Sequence, residues 1–197
     1  LEPATQSFFT RKQLPLSIDE LDQLESANTA LFVARANALP EDHRYNDDQC
    51  VWVSGPESWK KLAKRGVWVS GCNEGMGLSR IPFVQHLFCY DLNWVKLTHS
   101  QSKDPSVMPC MYTYELVPKQ DVWSLKGYNY FYWMSGSQFQ WALDKFPEIK
   151  SAYHFCGTGQ TYKTIGQALG NKTHVFQFYS YSLWKDWILE KVKEGES

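Results

Sequence analysis

The sequence predicts an α/β protein with parallel sheets, and three observations support this fold class. Short runs rich in β-branched and aromatic residues alternate with helix-like runs along the 197 residues. The composition is that of a folded globular chain, with 43% hydrophobic and 21% charged residues. One pattern of strand, turn, helix and strand also occurs twice, roughly 100 residues apart.

Each predicted strand is a short apolar run bounded by turn residues, and each predicted helix has a start or stop signal. The strands are expected at 8–10, 31–34, 51–53, 67–69, 94–97, 130–134, 153–156 and 175–178. The helices are expected at 18–24, 56–65, 138–145, 161–169 and, after Ser182, at 183–192. Strands that alternate with helices favour parallel pairing, because each helix carries the chain back across the sheet.

The repeated pattern places a glycine-containing turn between a strand and a helix. The first copy reads VWVSGPESWKKL from Val51 and runs to Gly66. The second reads YHFCGTGQTYKTI from Tyr153 and runs to Gly170. A similar strand unit lies about 25 residues upstream of each copy. Two copies of one α/β half predict two similar small domains.

The turns of this pattern suit the binding of anions. A helix N-terminus leaves backbone N–H groups without a partner inside the helix, and these groups attract carboxylates and phosphates. Hydroxyl side chains stand at the same helix ends: Ser54, Ser58, Ser135, Ser137, Thr158 and Thr161. Ordinary helix capping is the alternative explanation for each hydroxyl.

The charge balance and the cysteine and histidine patterns argue against several classes of protein. The 20 Lys and Arg against 21 Asp and Glu do not give the basic field of most nucleic-acid-binding proteins. No apolar run approaches the roughly 18 residues of a membrane-spanning helix. The five cysteines form no C-x-x-C pair and the five histidines are scattered, so neither a metal site nor a disulfide framework is expected and a reducing cytoplasm fits best. The first residues show neither a start Met nor a signal pattern, so the chain is expected to be cut from a longer one.

Four segments of the chain carry a resemblance to a known family. They are FFTR at 8–11, SGPESWKKLAKRG at 54–66, MYTY at 111–114 followed by Pro118, and SGS at 135–137. In order and spacing they resemble the opening Thr-Arg strand, the Gly-Pro helix opening, the tyrosine-bearing strand and the Ser-rich turn of uroporphyrinogen-III synthase, the cyclising enzyme of tetrapyrrole biosynthesis. The chain departs from the family in a shorter stretch between residues 11 and 31, in Ala34-Arg35 where a Thr-Ser pair is common, and in Thr158-Gly159 where a Gly-Pro turn is usual.

The resemblance implies two similar α/β domains with parallel sheets, joined by a two-stranded linker, with a cleft between them for the substrate. Residues 1–12 and 118–197 would form the first domain. Residues 13–117 would form the second, shortened at its start.

The resemblance also implies an activity, that of a lyase of porphyrin and heme biosynthesis. The substrate would be hydroxymethylbilane, a linear tetrapyrrole with eight carboxylates, which is cyclised to uroporphyrinogen III with loss of water and inversion of the last pyrrole ring. No cofactor, metal, nucleic acid or membrane is expected. The enzyme would be a cytoplasmic monomer, with hydroxymethylbilane synthase as a candidate partner in the same chain or in another.

The resemblance assigns the catalytic role to Tyr112, as the proton donor to the departing hydroxyl. A phenol can donate a proton while it is neutral at pH 7. Tyr114, two residues further along the strand, is expected to face the same side and to be hard to distinguish from Tyr112. A buried strand aromatic is the alternative explanation of Tyr112. The resemblance and the turn pattern assign substrate binding to Arg11, Gly55, Ser58, Ser135, Gly136, Ser137, Lys150 and Thr161.

Two other functions are compatible with the sequence. The chain could be a non-catalytic module of the same fold that binds a partner within a larger protein, which the shortened second domain and the Ala34-Arg35 turn favour. It could instead be an aromatic-rich module that binds a carbohydrate or small molecule, since aromatic residues make up 16% of the chain and include nine Trp. The alternation of strands and helices speaks against this second alternative, because such modules are usually all-β.

Overall fold

Internal contacts divide the chain into two units. In this computed structural model the first unit is Leu1–Phe8 with Lys119–Ser197, and the second unit is Phe9–Pro118. The structure describes residues 4–26, 28–41, 48–74, 86, 88, 90–102, 108–170 and 174–194. Both units contain parallel strands and helices, so the predicted α/β class with parallel sheets is confirmed.

The second unit holds a six-stranded sheet. Its strands are β1 (Phe9–Gln13), β2 (Thr29–Val33), β3 (Val51–Val53), β4 (Gly71–Cys72), β5 (Asn93–His99) and β6 (Cys110–Pro118). They lie in the spatial order β1-β6-β5-β2-β3-β4, and every neighbouring pair is parallel except β1 with β6. Helix α1 (Ile18–Glu25) precedes β2, and helix α2 (Pro56–Lys64) precedes β4.

The strand order of this sheet reverses between β2 and β5. From β2 the chain continues to β3 and β4 on one side, and it then returns to form β5 and β6 on the other side. Open α/β sheets leave a crevice at the carboxyl ends of the strands that flank such a switch point, and ligands commonly bind there. The carboxyl ends of β2 and β5 are therefore the first place to search for a site in this unit.

The first unit holds a three-stranded parallel sheet. Its strands lie in the order β7 (Tyr130–Trp133), β8 (Tyr153–Cys156) and β9 (Val175–Gln177). A helix follows each strand: α3 (Gly136–Lys145), α4 (Gln160–Leu169) and α5 (Tyr181–Lys193). All three strand-to-helix turns therefore lie at the carboxyl edge of the sheet. None of the helices in the described part of the chain is long and apolar enough to cross a membrane.

The predicted strand at 67–69 is wrong. As helix α2 ends, Val67 N still donates to Leu62 O at 3.1 Å, so the chain has not yet turned into the sheet. Pairing with β3 begins only where Ser70 N donates to Val51 O at 2.8 Å, and β4 follows.

The last helix begins earlier than predicted. Its N-cap is Ser180 and not Ser182, since the Oγ of Ser180 accepts a hydrogen bond from Leu183 N at 3.2 Å. The helix therefore starts at Tyr181 and buries Trp184 against the first unit's sheet.

The chain crosses from one unit to the other at the start of β1 and at the end of β6. These strands pair antiparallel, starting with Phe9 opposite Pro118. The predicted first-domain segment, 1–12, is therefore longer than the segment that the first unit contains, because residues 9–12 hydrogen-bond to β6 of the second unit.

Candidate substrate-binding site

Each unit has an edge at which parallel strands end and helices begin. We call the carboxyl edge of the β7–β9 sheet the first-unit edge, and the edge formed by the carboxyl ends of β2, β3, β5 and β6 the second-unit edge. Helix N-termini at such edges direct backbone N–H groups outward. The predicted binding residues at the first-unit edge are Ser135, Gly136, Ser137 and Thr161, those at the second-unit edge are Arg11, Gly55 and Ser58, and Lys150 lies elsewhere.

Ser135 caps helix α3. Its Oγ accepts a hydrogen bond from Gln138 N at 3.3 Å and lies 3.2 Å from the Oγ of Ser137. Ser137 is exposed. Capping therefore accounts for Ser135, whereas Ser137 presents an exposed hydroxyl beside the cap.

Gly136 lets helices α3 and α4 approach each other closely. A Cβ atom at this position would lie 2.9 Å from both Cβ and Oγ1 of Thr164, which is closer than real Cβ contacts. The close packing of α3 against α4 is thus sufficient to explain why a glycine occupies position 136. Close approach of the Gly136 backbone to a substrate stays a prediction.

Thr161 and Lys150 lie at opposite edges of the first unit's sheet. Thr161 is half-buried in the first turn of α4, after Gly159, whose φ of 96° is in the region that glycine adopts freely. Lys150 is exposed in the 3-10 turn Pro147–Ser151, before the first residue of β8. Since β8 spans about 10 Å, the structure does not bring Lys150 to the first-unit edge.

At the second-unit edge, Gly55 and Ser58 form the start of helix α2. Gly55 is the N-cap, with an extended backbone that any residue can adopt. Ser58 is only 7% exposed, so its hydroxyl is not an open donor. The neighbouring Ser54 uses its hydroxyl within the protein, since it donates to Ala34 O at 2.7 Å and ties the end of β3 to the end of β2.

The two tyrosines of β6 face opposite sides of the sheet, so the prediction that they share a face is wrong. Tyr112 pairs with Thr98 and Tyr114 pairs with the next residue of β5, His99. One residue of β6, Thr113, is extra, and this β-bulge reverses the alternation of side chains.

The bulge gives the two tyrosines different surroundings. Tyr112 is 36% exposed and Tyr114 only 2%. Tyr114 belongs to the aliphatic core cluster and its ring centroid lies 5.8 Å from that of His99. The alternative considered for Tyr112 was that of a buried aromatic residue in a strand. That environment is the one in which Tyr114 lies.

Tyr114 is the centre of a polar group that we call the switch-point cluster: Arg11, Arg35, Asn37, His99 and Tyr114. Arg35 and Asn37 follow the carboxyl end of β2, and His99 is the last residue of β5. Gln13, opposite Tyr114 in the β1–β6 ladder, donates from Nε2 to Asn37 O at 3.2 Å. The cluster therefore lies where the strand order predicts a crevice.

Two guanidinium groups act on the Tyr114 phenol. Burial raises the pKa of Tyr114, and the positive charges of Arg35 and Arg11 oppose that rise. Burial lowers the pKa of Arg35; the Tyr114 phenol opposes this change, whereas the like charge of Arg11 adds to it. Burial also lowers the pKa of His99, and the charges of Lys96 and Arg35 lower it further. Burial thus keeps the Tyr114 phenol neutral beside the guanidinium groups of Arg11 and Arg35.

Of this cluster, sequence reasoning named Arg11 as a binding residue and Tyr114 as a competitor of Tyr112, and it missed the roles of Arg35, Asn37 and His99. One signal was present. Arg35 is part of the pair that departs from the family's usual Thr-Ser, which marks the turn after β2 as unusual.

A separate cavity of 520 Å³ lies on the sheet of the first unit. Most of its lining is aromatic: Tyr130, Tyr153, Phe155, Phe176, Phe178 and Trp187. Its cation, Lys191, already contacts Glu194 at 3.1 Å. A ligand with many carboxylates needs many donors, so this cavity suits an apolar ligand better than a polycarboxylate.

Comparison with solved structures identifies the fold. A mutant uroporphyrinogen III synthase from the extremely thermophilic bacterium Thermus thermophilus matches 96% of this chain and 88% of its own, with a TM-score of 0.59 and 9% sequence identity. Uroporphyrinogen-III synthetase from Helicobacter pylori matches 93% of this chain and 90% of its own, with a TM-score of 0.56 and 13% identity. No protein-family model and no curated protein matches the sequence. The resemblance to this family is thus confirmed at the level of the fold, which in these synthases is two-domain α/β.

Proposed function

We propose that the chain is a uroporphyrinogen-III synthase, a lyase that converts hydroxymethylbilane into uroporphyrinogen III. The observation that carries the proposal is the match over more than nine-tenths of this chain to two such synthases. The helix N-termini at the two edges, the exposed hydroxyl of Ser137 and the exposed guanidinium of Arg11 support it further. We place the enzyme in the cytoplasm as a monomer without a cofactor, with hydroxymethylbilane synthase as the supplier of its substrate.

Binding of this substrate requires donors for eight carboxylates. Charge-assisted hydrogen bonds from guanidinium, hydroxyl and backbone N–H groups serve that purpose. We assign these contacts to Arg11 and Gly55 at the second-unit edge, and to Ser135, Gly136, Ser137 and Thr161 at the first-unit edge. Ser58, which is buried, and Lys150, which is at the amino edge of its sheet, have the least support.

The reaction needs one proton donor and a substrate held in a folded conformation. Protonation of the terminal hydroxyl lets it leave as water and produces an azafulvenium cation. The substituted carbon of the last ring attacks this cation to form a spiro intermediate, and rearrangement followed by loss of one proton closes the inverted ring. The reaction takes up one proton and releases one, so it needs no net proton. Because ring closure requires the two ends of the linear substrate to meet, we expect most of the rate enhancement to come from holding those ends together.

We assign the proton donor to Tyr112. Its phenol is partly exposed, so it is open to a ligand, whereas Tyr114 is almost completely buried. If Tyr112 is the donor, Tyr112→Phe lowers kcat at least tenfold with little change in thermal stability, in keeping with general acid catalysis. Tyr114→Phe is the matched comparison on the same strand. A fully active Tyr112→Phe would remove this residue from the mechanism, and a selective loss in Tyr114→Phe would transfer the role.

The activity itself is tested by the isomer of the product. Porphobilinogen and hydroxymethylbilane synthase are incubated with and without the chain, the porphyrinogens formed are oxidised to porphyrins, and the porphyrin isomers are separated by chromatography. The linear product closes to isomer I without catalysis, so an excess of isomer III demonstrates the synthase. Isomer I alone, from a chain shown to be folded by circular dichroism, would reject the proposal and favour the non-catalytic module.

A further inference from the structure

Successive carbonyl groups in the turn after β2 accept hydrogen bonds from side chains of three other elements. The turn comprises the 3-10 turn Ala36–Ala38 and the two residues that follow it. The donors lie on β1, on β6 and at the end of α2: Gln13 Nε2 to Asn37 O at 3.2 Å, Thr113 Oγ1 to Ala38 O at 2.6 Å, and the Arg65 guanidinium to Ala36 O, Leu39 O and Pro40 O at 3.0, 3.0 and 2.9 Å. Side chains from distant parts of the sequence therefore hold this turn in place.

Of these donors, Thr113 makes the shortest hydrogen bond and is buried. Thr113 is 1% exposed and its partner Ala38 is fully buried, so water cannot replace either group in the bond. The backbone of Thr113 is bonded as well, since Thr113 O accepts from Leu14 N at 3.0 Å. Both the side chain and the backbone of this residue are thus tied to other parts of the second unit.

Thr113 is also the extra residue of the bulge in β6. Met111 and Tyr114 both belong to the aliphatic core cluster, although residues three apart in a regular strand face opposite sides. Tyr112 faces away from that cluster and is 36% exposed. The bulge at Thr113 therefore decides which face of the sheet receives the Tyr112 ring.

We propose that Thr113 is a positioning residue, whose hydrogen bond to Ala38 O fixes the bulge and thereby holds the Tyr112 phenol on the face opposite the aliphatic core cluster. Without this bond the buried carbonyl group of Ala38 loses its donor. The strand is then free to return to regular alternation, in which Tyr112 and Tyr114 share a face. The role of the phenol as proton donor rests on the proposed function; its placement by Thr113 does not.

The first test follows the Tyr112 ring directly. 3-Fluorotyrosine is incorporated at position 112 alone in the full chain, and fluorine NMR measures its chemical shift and its relaxation enhancement by a soluble gadolinium chelate. Thr113→Val lacks the donor but has nearly the same shape, so we expect it to shift or split the signal and to lower the enhancement. Thr113→Ser keeps the hydroxyl and should keep the wild-type signal.

Gln49→Met is the matched control for a loss of stability. Gln49 is also buried in the second unit and donates from Nε2 to Leu24 O at 2.6 Å, but its second bond, to Thr29 O, places it at the amino end of β2, at the opposite edge from Ala38. This variant should lower Tm, as Thr113→Val does, and leave the fluorine signal unchanged. A wild-type signal in Thr113→Val, or an equal change in Thr113→Ser or in Gln49→Met, would overturn the proposal.

A second pair of variants decides the question if Thr113→Val fails to fold. Thr113→Cys and Thr113→Ser both lack the γ-methyl group, and a thiol is a much weaker donor than a hydroxyl. An altered fluorine signal in Thr113→Cys alone would support the proposal, and the same signal in both variants would overturn it.

Kinetics connect this placement with the proposed reaction and separate the two failures. Thr113→Val should lower kcat about tenfold with little change in KM, and adding it to Tyr112→Phe should cost nothing further, because both changes remove the same donor. A Thr113-dependent fluorine signal without isomer III from the wild type would keep the placement and reject the synthase. Isomer III from the wild type, with an unchanged kcat in Thr113→Val or with additive losses in the double variant, would keep the synthase and reject the role of Thr113 in it.

Discussion

The two units build their cores from different side chains. In the second unit the core is aliphatic: all five residues of β2 are buried, and Leu31, Val51 and Leu97 pack in one cluster. In the first unit the core is aromatic, with Phe139 fully buried and its ring centroid 5.5 Å from Trp133 and 5.3 Å from His154.

This difference follows from the size of the sheets. Six strands supply many small buried contacts, whereas three strands must exclude water with a few large rings, each of which buries about 150–250 Å². Loss of one core residue therefore removes a larger share of the stability of the first unit. Hydrogen exchange followed by mass spectrometry reports the two units separately and can test this comparison.

The largest effect is expected from Phe139→Ala. Truncation of a buried phenylalanine costs about 3–5 kcal/mol, a large part of the stability of a small domain. Exchange protection should fall in β7, β8 and α3 while the second unit keeps its protection. Leu97→Ala is the matched truncation in the second unit and should leave the first unit protected. Equal loss in both units from either variant would show that they unfold together.

The next effect is the pH dependence of the first unit. The His154 ring is neutral, since its Nδ1 accepts from Trp133 Nε1 at 2.9 Å and its Nε2 donates to Ile149 O at 3.0 Å. Burial lowers the pKa of His154 to about 4, from 6.5 in the unfolded chain. Between these values the unfolded state binds the proton and the folded state does not, so stability falls as the pH drops from about 6.5 to 4, by up to about 3 kcal/mol.

Chemical denaturation at pH 7, 5.5 and 4 measures this loss. His154→Gln, which can accept and donate in the same place without titrating, should flatten the profile. An unchanged slope in that variant would assign the acid sensitivity to other groups.

A smaller effect is expected from Gly136→Ala. The new methyl group meets Thr164 of α4, and overpacking of this kind costs about 1–3 kcal/mol. Gly157→Ala is the control, because a Cβ atom there has no other atom within 4 Å. Thermal unfolding should show a lower Tm for the first variant and little change for the second. Equal Tm values would mean that α3 and α4 can move apart at no cost.

The smallest effect is expected at the cap of α1 in the second unit. Ser17 and Glu20 form a capping box, in which Ser17 N donates to Glu20 Oε2 at 2.8 Å and Glu20 N donates to Ser17 Oγ at 3.3 Å. Ser17→Ala should cost about 1 kcal/mol in denaturation experiments, and Ser17→Thr should cost less because it keeps the hydroxyl. No difference between the two variants would show that the cap does not contribute.

Local sequence signals predicted most of the elements. The strands at 51–53 and 153–156 were predicted at the residues where they occur, and the helix predicted at 18–24 ends one residue later, at Glu25. Apolar periodicity and capping are encoded by neighbouring residues, which explains this success. The strand predicted at 67–69 failed because Val67 completes the end of α2 and does not pair with β3.

The candidate site was less predictable. The first-unit edge collects Ser135, Ser137 and Thr161 because each follows a predicted parallel strand. Lys150 precedes its strand, and a position before a strand lies at the opposite edge. Lys150 was selected by resemblance to a family lysine, and that resemblance did not indicate at which edge of the sheet the residue lies.

The sequence by itself determined the fold class, most of the elements and the family resemblance, because these depend on local patterns of apolar residues, glycines and caps. Only the tertiary structure decided which tyrosine is buried and which cations meet. A single extra residue in the β5–β6 pairing separates Tyr112 from Tyr114, and the strand order brings Arg35 to Arg11. Register and strand order are selected by packing between residues far apart in the chain, and no local pattern encodes them.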